Sequence, residues 1–160
     1  SGRGLSYVRY NNATTYVAAV AEVQVHRQTG EVRVTRVCVS HDCGQIINPD
    51  GVTNQIEGGV IQTVSRTLME QVQWNDTQVT SVDWATYPIL RFPQAPKVEV
   101  ALINVPGEVS WGAGEPTATA IPAAIGNAIF DATGARLRSL PFTPEKVKTA
   151  LAETSAQRTA

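Results

Sequence analysis

One carboxylate, Glu115, stands among small residues in the stretch WGAGEPTAT at residues 111–119. The glycines at positions 112 and 114 let the backbone come close to a bulky group, and Pro116 fixes the direction of the chain. A helix after such a loop turns its positive N-terminal end toward the acid or toward an anion. A carboxylate held in this way can act as a general base if a substrate lies within reach. The alternative is a tight turn with a solvated glutamate, and this stretch alone favours that alternative.

A second candidate surface lies on a predicted helix between Asp50 and about Gln71. Apolar residues recur there every four positions, which predicts an amphipathic helix, and Asp50 is suited to be its N-cap. The opposite face unites two glutamines and two glycines: Gln55, Gly58, Gly59 and Gln62. Each glycine costs a helix interior about 1 kcal/mol relative to alanine. Either a closely packed backbone or an approaching ligand explains them, and both explanations stay open at this point.

A hairpin is predicted to precede this helix. Valine and alanine alternate with polar residues over 15–27, residues 28–31 form a turn, and a second strand follows over 32–42. In the second strand the valines change faces between positions 34 and 37. That change predicts a bulge near Thr35 or a strand that is buried on both faces.

The elements after residue 70 complete an α+β prediction. A second hairpin is expected over 71–82 around Asn75 and Asp76, followed by a strand over 97–105. Together with the first hairpin they predict an antiparallel or mixed β-sheet packed with two main helices, in one domain that spans residues 1–160.

Two C-terminal helices are also predicted. Apolar residues at helical spacing predict the first over 117–134, with Gly134 after its end and Pro122 either in its first turn or at a kink. A short final helix is expected to have Thr143 as its cap and Pro144 at its first position. Residues 155–160 are expected to be frayed.

Composition excludes several classes of function. The 160 residues carry a net charge of −1, and the basic residues are not clustered, which argues against nucleic acid and anionic lipid as partners. No apolar run reaches the roughly 20 residues of a membrane span.

No protein-held metal site is predicted either. Cys38, His41 and Cys43 are close in sequence, but strand alternation points the two cysteines to opposite sides and a fourth ligand is missing. A buried cysteine and a turn histidine are the simpler interpretation.

Four segments together resemble a known family. They are GRGLSYVRYNNATTYVAAVAEVQV, VSHDCGQIINPDGVTNQIEGGVIQ, YPILRFPQAPKVEVALI and GAGEPTATAIPAAIGNAIFDATGARLRSLPF. In this order they resemble the C-terminal part of the molybdenum-binding large subunit of the xanthine oxidase type of molybdenum hydroxylases, and most of all the isoquinoline 1-oxidoreductase β-subunit group. The resemblance covers nearly the whole chain.

The resemblance implies roles for particular residues. Glu115 corresponds to the family's general base, which takes a proton from a water-derived ligand of molybdenum while a substrate carbon is hydroxylated. Gln55 corresponds to a glutamine that contacts the pterin cofactor, and Gly58 and Gly114 would leave room for that cofactor. The metal would be held by the dithiolene group of the pterin. The pterin cofactor is expected in its cytosine dinucleotide form.

The same resemblance implies partners and a context. The chain is expected to be part of a larger subunit that passes electrons to a small [2Fe–2S] subunit and acts on a small N-heteroaromatic compound or an aldehyde. Alone, it is expected to retain no cofactor and to be inactive. A non-catalytic scaffolding or assembly domain is the alternative. Thr117 replaces a glycine that is frequent in the family, so the pocket beside Glu115 is expected to differ, and the compartment stays open.

Overall fold

A four-stranded sheet backed by helices forms the protein in the computed structural model, which describes residues 1–159. The strands are β1 Gly2–Arg9, β2 Tyr16–Val25, β3 Val32–Asp42 and β4 Lys97–Ile103. The helices are α1 Pro49–Leu68, α2 Pro116–Thr133 and α3 Pro144–Thr159. The strand order is β1-β2-β3-β4, with the first two pairs antiparallel and β3 parallel to β4. The sheet is therefore mixed, and the α+β prediction is confirmed.

The predicted hairpin and bulge are both present. β2 and β3 pair in antiparallel register, and the register shifts where Glu22 faces Arg36 while Val23 faces Val34. Thr35 is the extra residue, and its hydroxyl donates to the carbonyl of Glu22 at 3.2 Å. The bulge reverses the side-chain alternation, so the valines on both sides of it face the helices.

Strand β1 was not predicted because its inward face is made of very small residues. A Cβ built on Gly4 would lie 2.2 Å from the carbonyl oxygen of Ala124 in α2. Ser6 on the same face donates to the carbonyl of Ala120 at 2.6 Å, while Leu5 and Tyr7 are exposed on the other face. The apolar pattern of β1 is thus inverted, since α2 packs directly on its backbone.

Helices α1 and α2 share one layer against the sheet. α2 lies over β1 and β2, and α1 contacts α2, β3 and β4. The buried apolar stripe predicted for α1 is present, in Ile56, Val60, Val64 and Leu68. Its N-cap is Asn48 rather than Asp50, because the Asn48 Oδ1 accepts the backbone N–H of Gly51 at 3.0 Å.

The C-terminal helices agree with the sequence except in detail. α2 ends at Gly134, which has a left-handed φ of 80°. Pro122 lies within α2 in its second turn, so of the two predicted alternatives the placement in the first turn is wrong. The backbone N–H of Lys146 donates to the Thr143 hydroxyl at 3.4 Å, which agrees with the predicted cap of α3. α3 is 16 residues long and continues to Thr159, whereas Ala160, part of the segment expected to fray, lies outside the described residues.

The predicted hairpin at 71–82 is the main error. Within the described residues this segment has a turn closed by a single bridge, Trp74 to Val79, and no regular strand. The Asn75 side chain accepts the backbone N–H groups of Thr77 and Gln78, each at 3.0 Å. The turn chemistry was therefore predicted correctly. Trp74 and Val79 are both exposed, so no buried face extends the pairing.

Candidate functional site

The loop that carries Glu115 is fixed to the end of β3. The backbone N–H of Trp111 donates to the carbonyl of Cys43 at 2.8 Å, and Val105 N–H donates to the Gly44 carbonyl at 3.1 Å. Gly44 has a φ of 76°, and a Cβ there would lie 2.0 Å from the Val109 carbonyl oxygen. Only glycine combines this backbone conformation with so close a contact.

Glu115 occupies the N-cap position of α2. Its backbone carbonyl accepts the N–H of Ala118 at 3.0 Å, so the helix starts directly at the acid. The side chain makes no capping bond to its own helix and is exposed. Instead, the Tyr10 hydroxyl donates a hydrogen bond to the Glu115 Oε2. The carboxylate thus does not cap the helix and is available to solvent or to a ligand.

Helix α1 brings Gln55 next to the loop. A Cβ built on Gly114 would lie 3.5 Å from the Gln55 Nε2, so the side chain of Gln55 lies directly beside the backbone of this loop. Gln55 is itself exposed. The fold therefore brings Gln55 of α1 to Gly114, the residue before Glu115, and Gly58 lies one turn further along α1 on the side of Gln55.

A cavity of about 430 Å³ opens at this junction. It lies between the start of α1, the turn after β3 and the loop before Glu115. Its lining combines small, apolar and amide side chains: Cys43, Gln45, Ile46, Ile47, Asn48, Gly51, Val52, Gln55, Ser110, Trp111, Ala113 and Gly114. A volume of this size suits part of a small-molecule site.

The two helix glycines differ in their surroundings. A Cβ on Gly58 would meet no atom within 4 Å, and a Cβ on Gly59 would make an ordinary contact of 3.9 Å with Thr117. Neither glycine is required by packing against the described residues. Of the two explanations left open by the sequence, an approaching ligand is the one that the open space at Gly58 favours.

His41 and Thr117 form a buried pair beneath the loop. The His41 Nδ1 and the Thr117 Oγ1 are 3.2 Å apart, and both residues are almost completely buried. Burial lowers the pKa of His41 and favours its neutral form. His41 is therefore a buried residue of β3 rather than a turn histidine, and its alternation with Val37 and Val39 could have indicated this. Thr117 points to His41, whereas the sequence predicted that it would alter the pocket beside Glu115.

Cys38 lies in β3, whereas Cys43 lies in the turn directly after the strand. Cys38 is half-buried, and Cys43 is buried and lines the cavity. Burial raises the pKa of both thiols, which favours their protonated form. The described residues contain no group of three or more His, Cys, Asp or Glu side chains that could hold a metal ion.

Sequence reasoning missed Tyr10 and Thr15. The Thr15 hydroxyl donates to the carbonyl of Gly112 at 3.0 Å, and Tyr10 contacts Glu115 about a hundred residues away in sequence. The segment YNNATT contains the signal of a turn, but no pattern within it could indicate its partner.

The chain is similar to a family of known proteins. A family model described as a molybdopterin cofactor-binding domain matches residues 4–96, which include Gln55 and Gly58 but end before Glu115. A nicotinate dehydrogenase subunit of Pseudomonas putida is 47% identical over 156 residues, covering 94% of the chain and 13% of that protein. The β-subunit of isoquinoline 1-oxidoreductase of Brevundimonas diminuta is 39% identical over 88% of the chain and 18% of its own length.

Solved structures of related enzymes contain the same fold. Quinoline 2-oxidoreductase of Pseudomonas putida superposes with a TM-score of 0.78 at 28% identity, over 87% of the chain and 19% of that structure. The chain belongs to the molybdopterin cofactor-binding domain family, among the molybdenum-binding subunits of the xanthine oxidase type. It spans less than a fifth of the length of these relatives. None of the helices in the described part of the chain has the length and hydropathy of a membrane span.

Proposed function

We propose that the chain is the base-bearing part of a molybdenum hydroxylase, which hydroxylates N-heteroaromatic compounds or aldehydes with oxygen from water. The observation that carries the proposal is the junction of α1 and α2, where the Gln55 amide meets Gly114 at the cavity and the next residue, Glu115, has an exposed carboxylate. The relatives named for nicotinate, isoquinoline and quinoline support the N-heteroaromatic class. An aldehyde oxidoreductase subunit of Escherichia coli, 33% identical, supports the aldehyde class.

The residues at the junction fit a pterin cofactor. The exposed Gln55 amide both donates and accepts hydrogen bonds, as the polar edge of a pterin requires. Gly58 leaves open space on the same side of α1, and Gly114 has no side chain to obstruct the approach from the loop. These three residues would hold one side of molybdopterin, in its cytosine dinucleotide form, and the rest of a larger subunit would supply the other side.

The chemistry divides between the cofactor and the chain. When bound, the molybdenum centre supplies the two-electron oxidation of the substrate carbon. Glu115 contributes the proton transfer. Its Oε2 accepts the Tyr10 hydroxyl, and its Oε1 accepts the proton of the reacting water-derived group. The cavity walls, which include Trp111 and Ile46, would offer apolar surface to a flat substrate. Electrons leave through a small [2Fe–2S] subunit.

The test of this assignment is the cofactor content of three purified proteins: the 160-residue chain, the complete large subunit, and that subunit with Gly58→Ala. We expect molybdenum and pterin in the complete subunit only, and at least a tenfold lower cofactor content with Gly58→Ala, because the new methyl group occupies the space of the cofactor. In the isolated chain the same substitution is expected to raise the free energy of unfolding by about 0.5–1 kcal/mol, since alanine favours a helix over glycine.

A matched control is Thr53→Ala, on a different side of α1. It also raises helix propensity, but it leaves the Gln55 side unchanged, so cofactor content is expected to stay at the wild-type level. Full cofactor content with Gly58→Ala would contradict the placement of the pterin on this side of the helix. Tightly bound, stoichiometric molybdenum in the 160-residue chain would contradict the conclusion that the chain holds only one side of the site.

A further inference from the structure

The connection between β1 and β2 is a tightly closed loop. The Tyr10 carbonyl accepts two hydrogen bonds from Thr14, from its backbone N–H at 3.1 Å and from the Thr14 hydroxyl at 3.0 Å. The Tyr10 N–H donates to the Thr15 carbonyl at 2.9 Å. Asn11 and Asn12 have φ angles of 51° and 57°. Two consecutive non-glycine residues in the left-handed region cost about 1 kcal/mol or more each and persist only where the surroundings impose them. The loop therefore presents Tyr10 in a fixed position.

This loop contacts the Glu115 loop at two points. The buried Thr15 hydroxyl donates to the Gly112 carbonyl at 3.0 Å, which fixes the backbone three residues before the acid. The Tyr10 hydroxyl donates to the Glu115 Oε2, which fixes the carboxylate itself. The first contact holds the main chain of the Glu115 loop, and the second holds the Glu115 carboxylate. Together they fix the position of the Glu115 loop relative to the β1–β2 connection.

The partner of Glu115 is neutral rather than cationic. All four ion pairs of the described residues join Arg3, Arg36 or Lys97 to Glu22 or Glu99, and none involves Glu115. A cation bonded to a carboxylate stabilises its charge strongly and makes it a poorer proton acceptor. A phenol orients the carboxylate by one hydrogen bond and leaves its charge uncompensated, which suits a group that must accept a proton.

We propose that Tyr10 is a positioning residue for Glu115: its hydroxyl holds Oε2 and leaves Oε1 as the oxygen that accepts the proton. The inference rests on the proposed function, because it assigns Glu115 the role of general base. The hydrogen bond to Glu115 raises the pKa of Tyr10, with smaller contributions from burial and from the charge of the carboxylate. The phenol therefore keeps its proton at neutral pH and remains a donor.

The contact is tested first in the 160-residue chain, independently of activity. The tyrosine ring carbons are followed by NMR as the pH is raised, in the wild type and in Glu115→Gln, and Tyr10→Phe assigns the Tyr10 signal. We expect Glu115→Gln to lower the pKa of Tyr10, because an uncharged amide replaces the carboxylate. Tyr87 is the matched control, since its hydroxyl donates to Glu70 at 2.9 Å and its pKa is also raised. A Tyr10 titration that is the same in both proteins would overturn the proposal.

The role is tested next in the complete, cofactor-loaded subunit. We expect Tyr10→Phe to lower kcat about tenfold, the effect of one lost hydrogen bond, with KM and molybdenum content unchanged. Tyr87→Phe is expected to leave kcat unchanged. In a Glu115→Gln background Tyr10→Phe is expected to have no further effect, because a residue that acts through Glu115 has nothing left to position. An equal loss in both backgrounds, or no loss in either, would contradict the proposal.

The two claims can fail separately. Wild-type turnover in Glu115→Gln alone would contradict the proposed general base, and the NMR titration would still decide whether Tyr10 and Glu115 are bonded. Loss of turnover in Glu115→Gln, combined with full turnover in Tyr10→Phe, would retain the proposed function and reject the role of Tyr10.

Discussion

Replacing Glu115 with glutamine is expected to lower the turnover of the complete large subunit about 10³-fold, within the range that a general base contributes. The amide has the shape of the carboxylate, and its oxygen still accepts the Tyr10 hydroxyl, so the loop is expected to keep its conformation. An amide does not accept a proton at neutral pH, and only this function is removed. The measurement is kcat at saturating substrate, normalised to the molybdenum content of each preparation.

A matched control for this substitution is Glu108→Gln. Glu108 is also exposed and lies in the segment before the Glu115 loop, but the Tyr10 hydroxyl bonds to Glu115 and the Gln55 side chain lies against Gly114, next to Glu115. Glu108→Gln is expected to keep wild-type turnover. If Glu115→Gln kept more than about a tenth of the activity at equal metal content, Glu115 would not be the base.

Gly4→Ala is expected to destabilise the chain by about 3 kcal/mol or more. The new Cβ would lie 2.2 Å from both the Ala124 carbonyl oxygen and the Ala128 nitrogen of α2. These are backbone atoms, so relief requires β1 and α2 to move apart. Tyr10 directly follows β1 and Glu115 caps α2, and the same movement would separate the two residues.

The free energy of unfolding in denaturant measures this effect in the 160-residue chain. Gly58→Ala is the comparison, because it is the same substitution at a position where the Cβ meets no atom within 4 Å. The two variants are expected to change stability in opposite directions. A Gly4→Ala variant within about 1 kcal/mol of the wild type would show that β1 does not pack on α2 as described.

Local sequence patterns predicted much of the fold where a buried face repeats regularly. The alternation in β2 and the change of faces near Thr35 predicted the hairpin and its bulge, and both are present. Spacing by four predicted α1, with its N-cap placed two residues late because both Asn48 and Asp50 are suitable cap residues. Such features depend on neighbours along the chain, which a sequence displays directly.

Features that depend on distant partners were not predicted. β1 has glycine and serine on its inward face, since α2 occupies the space of side chains, and the usual apolar signal is absent. Trp74 and Val79 have the composition of strand residues but no sheet to join, so only the turn between them forms.

The residues of the site divide in the same way. Local patterns indicated Glu115, Gln55, Gly58 and Gly114 as candidate site residues, and the family resemblance assigned each a role. The contact between Tyr10 and Glu115 joins residues that only the folded chain brings together, so neither segment could indicate it.

The central claim is that this chain contributes the base to a molybdenum hydroxylase, and isotope labelling tests it most directly. The complete large subunit with its cofactor is given an N-heteroaromatic substrate such as nicotinate in H₂¹⁸O, with an artificial electron acceptor, and the product is examined by mass spectrometry. We expect a hydroxylated product that carries one ¹⁸O atom, formed by the wild type and about 10³-fold more slowly by Glu115→Gln. Unlabelled product, or equal rates in the two proteins, would contradict the account.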